Sequence, residues 1–234
     1  MNFETAIGFL SKDILLNIDM LQAISQGEAH LLHADSEGVA LYHKSAQAIM
    51  LSASNTQAAE AIVAGLGEVS PQYVAHQAFF LAPLKAKTTY QETMACLQAA
   101  YLGFKPLPEP SCPATIRPLD DRYLDFVMDN YEHAEDRQYI ASRFEEHTMQ
   151  GAFIKGEPVG FIGLHAEQSI GLLHVLPAYR RMGIGRALEI HMANHLIALG
   201  IIPFAQIMIG NEASLKLQKE IGFAVSGNPV WWLW

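Results

Sequence analysis

Four prolines within nine residues constrain the fold of this chain more than any other feature of its sequence. They stand at positions 106, 108, 110 and 113 of the segment KPLPEPSCP, which covers residues 105–113. Proline has no amide hydrogen and biases the preceding residue toward extended backbone, so neither a helix nor a central strand can continue through this segment. We therefore predict a linker over 105–113 that separates an accessory domain, 1–104, from a second domain, 114–234.

The composition excludes two broad classes of protein. Half of the 234 residues are hydrophobic and only 17% are charged, which excludes an intrinsically disordered chain. The formal net charge is −9, so the sequence lacks the basic surface that nonspecific nucleic-acid binding requires. The two cysteines, Cys96 and Cys112, are too few for a disulfide scaffold and indicate a reducing compartment.

Neither secretion nor membrane insertion is expected from the sequence. The amino terminus lacks the basic and then apolar order of a signal peptide. Residues 190–211 carry no Asp, Glu, Lys or Arg. However, polar residues, Gly200 and Pro203 interrupt them, which favours a buried helix and a buried strand over a membrane span. We expect a cytoplasmic protein with no nucleic-acid or membrane partner.

Apolar periodicity and turn signals predict mixed α and β structure in the first half. The predicted helices span 1–26, 56–65 and 88–102, and the predicted strands span 29–34, 39–42, 47–52 and 73–76. The first two strands flank the sequence Asp-Ser-Glu-Gly, which predicts a hairpin.

The second half alternates more regularly between strands and helices, which predicts a sheet covered on both faces. The predicted strands span 115–117, 151–155, 159–165, 170–175, 204–209 and 224–234, and the predicted helices span 120–130, 135–147, 183–199 and 213–220. Every arginine of the chain lies in this half. Because the guanidinium group suits phosphate and carboxylate, we expect anion recognition here.

The sequence HVLPAYRRMGIGRA at 174–187 carries the clearest chemical signal. It follows an apolar strand and opens a long helix, with glycines at 183 and 185 at the turn between them. Glycine allows close backbone approach to a ligand, and the free amides of a first helical turn attract anions. The neighbouring arginines add charged donors, so the combination predicts a pyrophosphate-binding loop. It lacks the third glycine of a dinucleotide fingerprint and the Gly-Lys-Ser/Thr of a P-loop.

The same string resembles the acetyl-CoA signature of the GNAT N-acetyltransferase superfamily, in which Val-x-Pro is followed by Arg-x-x-Gly-x-Gly/Ala. A second block is similar to the family's pattern of an asparagine, a small residue, a leucine and a Gly-Phe pair. The matching residues are Val175, Pro177, Arg180, Gly183 and Gly185, and then Asn211, Ser214, Leu217, Lys219, Gly222 and Phe223. The resemblance covers residues 115–234 and implies an α/β (α+β) GNAT fold, with a central mixed, mostly antiparallel sheet flanked by helices.

The resemblance also implies an activity, the transfer of an acetyl group from the co-substrate acetyl-CoA to a primary amine by direct attack in a ternary complex. The expected acceptor is a small molecule. The backbone amide of Val175, on a strand that splays from its neighbour at a bulge, would polarise the thioester carbonyl. Asn211 and Ser214 would contact the pantetheine arm or the far side of the cofactor. The pyrophosphate would be bound by Arg180, Arg181, Met182, Gly183, Ile184, Gly185, Arg186 and Ala187.

One position departs from the family pattern. Gln218 stands four residues before the Gly-Phe pair, where many relatives have a tyrosine that protonates the leaving thiolate. Glutamine cannot serve as an acid, although it can donate a hydrogen bond. A CoA-binding sensor without turnover is therefore an alternative, and an acetyltransferase that acts on protein amino groups is another.

The general base has no distinctive pattern in the sequence. His174 is the first candidate because an imidazole titrates near neutral pH, and Glu167, Glu145 and Glu146 are weaker ones. Seven acidic residues between 120 and 136 form either a wall that attracts a cationic amine or a solvated helix face. His191 and His195 lie one helical turn apart without a third ligand, so no metal is expected.

The first half has no arginine-rich loop and no Gly-x-Gly at a helix start. It is interpreted as either a degenerate GNAT-like copy or an unrelated α/β accessory domain, which would shape the acceptor cleft or the domain interface. At the carboxy terminus, strand alternation predicts Trp232 and Trp234 on one face and Trp231 on the other. A monomer or a homodimer is expected.

Overall fold

The computed structural model describes residues 2–67, 72–90, 93–131 and 136–234. The α-helices within these residues are α1 (Phe3–Leu10), α2 (Ile18–Ser25), α3 (Thr56–Gly65), α4 (Leu81–Lys87), α5 (Leu124–Asn130), α6 (Arg137–Glu145), α7 (Ile184–Ala198) and α8 (Glu212–Glu220). The strands are β1 (Ala29–Ala34), β2 (Gly38–His43), β3 (Ala48–Ala53), β4 (Gln72–Ala75), β5 (Thr93–Ala100), β6 (Thr115–Pro118), β7 (Gln150–Ile154), β8 (Glu157–Leu164), β9 (Ile170–Val175), β10 (Phe204–Met208) and β11 (Ala224–Leu233).

The chain forms two compact units that interleave along the sequence. The first unit contains Met1–Ala100, Gln206–Lys219 and Phe223–Trp234, and the second contains Tyr101–Ala205 and Glu220–Gly222. The proline segment 105–113 therefore lies inside the second unit. The units differ from the two contiguous halves on either side of that segment, because β11 pairs with β4 and β5 from the beginning of the chain.

In the first unit the strands are ordered β1-β2-β3-β4-β11-β5. β3 and β4 run parallel and the other pairs run antiparallel. Successive side chains of a strand point to opposite faces. On β3, Met50 packs with α1 and α2, whereas Ile49 and Leu51 pack with α3 and α4. Burial on both faces explains why β3 is almost entirely apolar.

The helix predicted over 88–102 is wrong, because this part of the chain contains β5. Alanine favours a helix by intrinsic propensity. Here the backbone instead pairs with β11, from Thr93↔Leu233 to Ala100↔Ala224, with one irregularity in register. The partner strand lies at the other end of the chain, so no local pattern indicates it. Cys96 consequently lies on a strand, where it is buried.

The helix predicted over 1–26 is in fact two helices, α1 and α2. Asn17 lies between them, and its side-chain amide donates hydrogen bonds to the carbonyls of Leu10 and Asp13 at 3.1 and 3.0 Å. Such side-chain bonds to the backbone compete with helical hydrogen bonds. The sequence pattern also gave no indication of α4, which has Pro83 in its first turn, where proline is tolerated.

In the second unit the strands are ordered β9-β8-β7-β6, and neighbouring strands run antiparallel. Phe204 and Ala205, the first residues of β10, also belong to this unit, and β10 pairs with β9 in parallel. Val127 of α5 and Ile140 of α6 pack on the sheet around Phe161, and α7 packs against β7, β8 and β9. The strands and helices predicted for the second half are present, with differences at their ends. The predicted start of a helix at 135 lies outside the described residues.

The uncharged stretch 190–211 contains the end of α7 and then β10, as predicted. Within the ranges that the structure describes, no helix combines the length and the hydropathy that crossing a membrane would require.

Candidate active site

The strand that precedes the glycine-rich sequence contains a β-bulge. The register of β9 against β8 shifts between Phe161 and Gly163. The extra residue belongs to β9, where Leu172 has a φ of 51°. The parallel neighbour β10 pairs with β9 at Ala205↔Ile170, near the start of both strands. A bulge re-aims the backbone groups around it, and the resemblance implies one on this strand.

The backbone of Val175 faces away from β8. The next residue, Leu176, donates its N–H to the carbonyl of Val159 at 2.9 Å. Backbone directions alternate along an antiparallel strand. The N–H and C=O of Val175 therefore point toward the other edge of β9, and this carbonyl accepts a hydrogen bond from Nε of Arg180 at 3.0 Å. The amide that is predicted to polarise a thioester thus lies at the edge of β9 away from β8.

Residues 176–183, which we call the glycine loop, join β9 to α7. The loop contains a 3-10 helix, Pro177–Tyr179, and ends at Gly183, the N-cap of α7, with a φ of 80°. Arg181 has a φ of 66°, a conformation that costs a non-glycine residue about 1–2 kcal/mol. No side chain of the described residues caps α7, and the N–H groups of a first helical turn have no partner within the helix.

A cavity of about 260 Å³ opens at this end of α7. The helix N-terminus and the guanidinium groups around it favour an anion. One of these groups, Nη1 of Arg186, lies 3.9 Å from a carboxylate oxygen of Glu220. Tyr179 also lines the cavity. Its place between Pro177 and Arg180 of the signature is the one sequence feature that indicates this position. The lining residues are Val175, Tyr179, Arg180, Arg181, Gly183, Ile184, Gly185 and Arg186.

Neither the backbone conformation nor the packing around position 185 requires a glycine there. Its φ lies outside the left-handed region, and an added Cβ would meet only Cγ2 of Val175, at an ordinary contact distance of 3.8 Å. The missing side chain therefore leaves room between the end of β9 and the first turn of α7. This room belongs to the cavity, which fits a ligand that approaches the backbone closely.

The model of the GNAT acetyltransferase family matches residues 115–223, a range that includes the bulged strand, the glycine loop and α7. This match assigns residues 115–223 to the GNAT acetyltransferase family, and we call this range the acetyltransferase domain. A comparison with curated proteins finds no match.

Solved structures show that the chain has the GNAT fold, a mixed sheet flanked by helices. A Drosophila protein is similar with a TM-score of 0.68 and 20% identity, over 84% of this chain and 73% of that one. A GCN5-related N-acetyltransferase from Kribbella flavida has a TM-score of 0.57 and 13% identity, over 94% and 95%. A GCN5-related N-acetyltransferase-like protein from Streptococcus suis has a TM-score of 0.55 and 11% identity, over 98% and 99%. At these identities the likeness concerns the fold alone.

The two principal candidates for the general base lie toward opposite ends of β9. His174 precedes Val175, and its ring stacks on the buried ring of Phe161 with centroids 5.6 Å apart. Glu167 lies in the turn between β8 and β9, where it is 7% exposed and accepts a hydrogen bond from Oγ of Ser169 at 2.5 Å. Both side chains of the acetyltransferase domain are held by packing or hydrogen bonding, and their catalytic roles stay predictions.

The weaker candidates are placed differently. Glu146 forms an ion pair with the buried Arg143, at 2.7 Å, whereas Glu145 is exposed at the end of α6.

A polar cluster that sequence reasoning missed lies beside Glu167. The hydroxyl of Tyr139 on α6 hydrogen-bonds Nδ1 of His165 at 2.8 Å, and the two rings stack. Burial raises the pKa of Tyr139, and the charge of Glu167 raises it further. The imidazole of His165 lies over Gly171, where an added Cβ would collide with it. A glycine inside a strand pattern is the one sequence signal for this cluster.

Asn211, Ser214 and Gln218 belong to the first unit. The side-chain oxygen of Asn211 accepts the N–H of Ser214 at 3.1 Å, which is an N-cap arrangement at the start of α8. Gln218 is 2% exposed. The contacts predicted for these residues with the cofactor and with the leaving thiolate stay predictions.

Several acidic residues of the segment 120–136 have partners within the domain. Asp120 pairs with Arg122 and Asp125 pairs with Arg137, both at 2.7 Å. Asp136 caps α6 by accepting the N–H groups of residues 138 and 139. Glu132 and Glu135 lie outside the described residues. These contacts reduce the negative charge that the segment presents to an acceptor.

His191 and His195 both lie on α7, and burial lowers the pKa of His191. In the part of the chain that the structure describes, no cluster of three or more His, Cys, Asp or Glu side chains is suited to hold a metal ion.

Proposed function

We propose that the acetyltransferase domain transfers an acetyl group from acetyl-CoA to a primary amine of a small molecule. The observation that carries this proposal is the cavity at the N-terminus of α7, next to the bulged strand β9. There the first-turn amides of a helix that no described side chain caps converge with two glycines and three arginines. Such a group of donors suits a pyrophosphate, which carries negative charge and many acceptor oxygens.

The residues at the cavity fit CoA as a co-substrate. The N–H groups of Ile184, Gly185 and Arg186 would bind its pyrophosphate, and Arg181 and Arg186 would add charged donors. Gly185 leaves the room that a phosphate needs to reach these amides. When bound, acetyl-CoA supplies the thioester whose acyl carbon the amine attacks.

The chain itself supplies electrostatic stabilisation and proton transfer. The N–H of Val175 points to the edge of β9 away from β8, where it would donate to the negative charge that develops on a carbonyl oxygen. The acceptor amine must lose a proton to attack. His174 and Glu167 are the proposed proton acceptors. The ring of His174 stacks on Phe161, and Glu167 accepts a hydrogen bond from Ser169.

The cofactor assignment is tested by Gly183→Val. Valine is strained at a φ of 80° and would distort the glycine loop. We expect CoA to raise the Tm of the wild-type protein but not that of the variant, as measured by differential scanning fluorimetry. Gly156→Val is the matched control, because Gly156 has a φ of 88° in the turn between β7 and β8. A Tm rise in Gly183→Val equal to that of the wild type would contradict the assignment.

Turnover is tested by the release of CoA thiol from acetyl-CoA with a panel of primary amines, amino acids and polyamines. The proposal expects release with at least one small amine and a product heavier by one acetyl group in mass spectrometry. Acetylation of peptides alone would instead favour the acetyltransferase acting on proteins.

A CoA-binding sensor is the second candidate function. It is favoured by Gln218, which stands where many relatives have a tyrosine acid and is buried. Tight CoA binding without thiol release for any acceptor would support the sensor and exclude the transferase.

A further inference from the structure

The proline segment 105–113 runs along α7. The backbone N–H of Leu107 donates to Oδ1 of Asn194 at 2.7 Å, and Nδ2 of the same asparagine donates to the carbonyl of Leu107 at 2.9 Å. Leu107 stands between Pro106 and Pro108, so it carries the single N–H group of these three residues. Asn194 therefore satisfies both backbone groups of Leu107 with one side chain.

Two further residues of the segment lie near successive positions of α7. The charge of Glu109 acts on His191, opposing the larger effect of burial on the pKa of that imidazole. The carbonyl oxygen of Ser111 lies 3.8 Å from the place that a Cβ on Gly183 would occupy. As the segment proceeds from 107 to 111, its partners proceed backward along α7 from 194 to 183.

The lengths of the two elements agree with this antiparallel course. Four residues of extended proline-rich chain cover about 12–13 Å at about 3.1 Å each. The helix from Gly183 to Asn194 rises about 16 Å at 1.5 Å per residue. The two lengths differ by about 4 Å. The reach of the Asn194 side chain to Leu107 and the 3.8 Å between the Ser111 carbonyl oxygen and the Cβ position at Gly183 cover this difference.

The glycine loop needs support from outside because its own conformation is costly. Arg181 and Gly183 both have positive φ, and Arg181 is not a glycine. A proline-rich segment is well suited to give that support, since it loses little backbone entropy when it is fixed. Its carbonyl oxygen at Ser111 lies next to Gly183, the N-cap of α7, 3.8 Å from the position that a Cβ there would occupy.

We propose that residues 105–113 act as a strap, which Asn194 fastens to α7 and which holds the glycine loop in its anion-binding conformation. Asn194 is thus a positioning residue, which acts on the glycine loop through the strap. The inference rests on the proposed function, in which this loop binds the pyrophosphate of CoA. The segment 105–113 would then contribute to cofactor affinity and would not be a passive linker.

The test compares Asn194→Leu with the wild type. Leucine has a similar size but can neither donate to nor accept from Leu107. We expect the dissociation constant for CoA, measured by isothermal titration calorimetry, to rise at least tenfold. In steady-state kinetics the KM for acetyl-CoA should rise by a similar factor, while the KM for the amine and the kcat at saturating acetyl-CoA stay within about twofold of wild type. A merely structural role would instead lower kcat and raise the KM for the amine as well as the KM for acetyl-CoA.

Two variants serve as references. His195→Gln changes the next, exposed residue of α7 and should keep the wild-type affinity for CoA. Asn194→Asp keeps the acceptor for the N–H of Leu107 but loses the donor to its carbonyl, so it should give an intermediate affinity. Should Asn194→Leu fail to fold, a wild-type affinity in Asn194→Asp would overturn the proposal. A wild-type affinity in a folded Asn194→Leu would overturn it as well.

Hydrogen exchange without ligand separates this inference from the proposed function. If the wild type does not bind CoA, the proposed function fails. The strap is then judged by the amides of residues 181–187, which should exchange at least tenfold faster in Asn194→Leu than in the wild type and His195→Gln. Equal exchange rates would show that the strap does not hold the loop.

Discussion

Gly183 and Gly185 lie two residues apart but serve different purposes. Gly183 has a φ of 80°, so a side chain there is strained whatever space surrounds it. Gly185 has an ordinary helical backbone and open space next to Val175. The first glycine is therefore required by the backbone of the glycine loop, and the second leaves room for a ligand.

This contrast predicts opposite effects for Gly185→Ala and Gly183→Ala. Gly185→Ala should leave the free energy of unfolding unchanged or raise it by up to about 1 kcal/mol, because alanine favours the helix. The same variant should bind CoA more weakly, because its Cβ occupies the cavity. Gly183→Ala should lower the free energy of unfolding by about 1–2 kcal/mol. Urea unfolding and calorimetric titration measure both quantities, and wild-type CoA affinity in Gly185→Ala would contradict the prediction.

The titration of Tyr139 should make the stability of the protein depend on pH. Burial, with the charge of Glu167, holds its pKa above that of an unfolded tyrosine, which is about 10. Above about pH 10 the unfolded chain releases this proton while the folded protein retains it, so stability is full below pH 10 and falls as the pH rises.

Tyr139→Phe removes both the titrating group and the hydrogen bond to His165. At pH 8 the variant should be about 1 kcal/mol less stable than the wild type. The difference in the free energy of unfolding between the wild type and the variant should become smaller between pH 10 and pH 11, because only the wild type loses the contribution of this phenol. Urea unfolding at each pH provides the measurement, and a difference that stays constant over this range would be inconsistent with a raised pKa.

At the scale of elements, β5 shows where tertiary pairing overrides local propensity. Its sequence, TMACLQAA, is rich in helix formers, yet every residue except Gln98 pairs with β11. Pairing places Cys96 opposite Val230 in the core, where it is 1% exposed, whereas Cys112 lies partly exposed in the proline strap.

The two cysteines should therefore react with a thiol reagent at very different rates. One equivalent should react rapidly in the native protein, and the second only as the protein unfolds, because a buried thiol must first become exposed. Cys112→Ser should remove the fast phase and keep the slow one. Rapid reaction of two thiols in native wild-type protein would place Cys96 outside the core.

At the scale of the whole molecule, the order of the chain and the order of the sheet differ. In the first unit β11, from the end of the chain, lies between β4 and β5, from its beginning. Cutting the chain at the prolines would remove β11 from both neighbours and expose their unpaired backbone groups.

We accordingly predict that the fragments 1–104 and 114–234 do not fold independently. Each should lack a cooperative unfolding transition by circular dichroism, and mixing them should restore one. A fragment 114–234 that unfolds cooperatively and binds CoA by itself would instead support the contiguous domain that the sequence predicts.

Features that depend on neighbouring residues were predictable from the sequence. The apolar run of β9, the loop from Pro177 to Gly183 and the following helix were all predictable, because helix starts, turns and glycine loops are encoded within a few residues. The same local signature indicated the family, which the matched range 115–223 confirms.

Features that depend on distant partners became evident in the folded protein. These are the strand identity of β5, the polar cluster of Tyr139 and His165, and the fastening of Leu107 to Asn194. In each case the stabilising contact joins residues far apart in sequence. Its free energy, from hydrogen bonds and burial rather than from local propensity, becomes available only when the chain is folded.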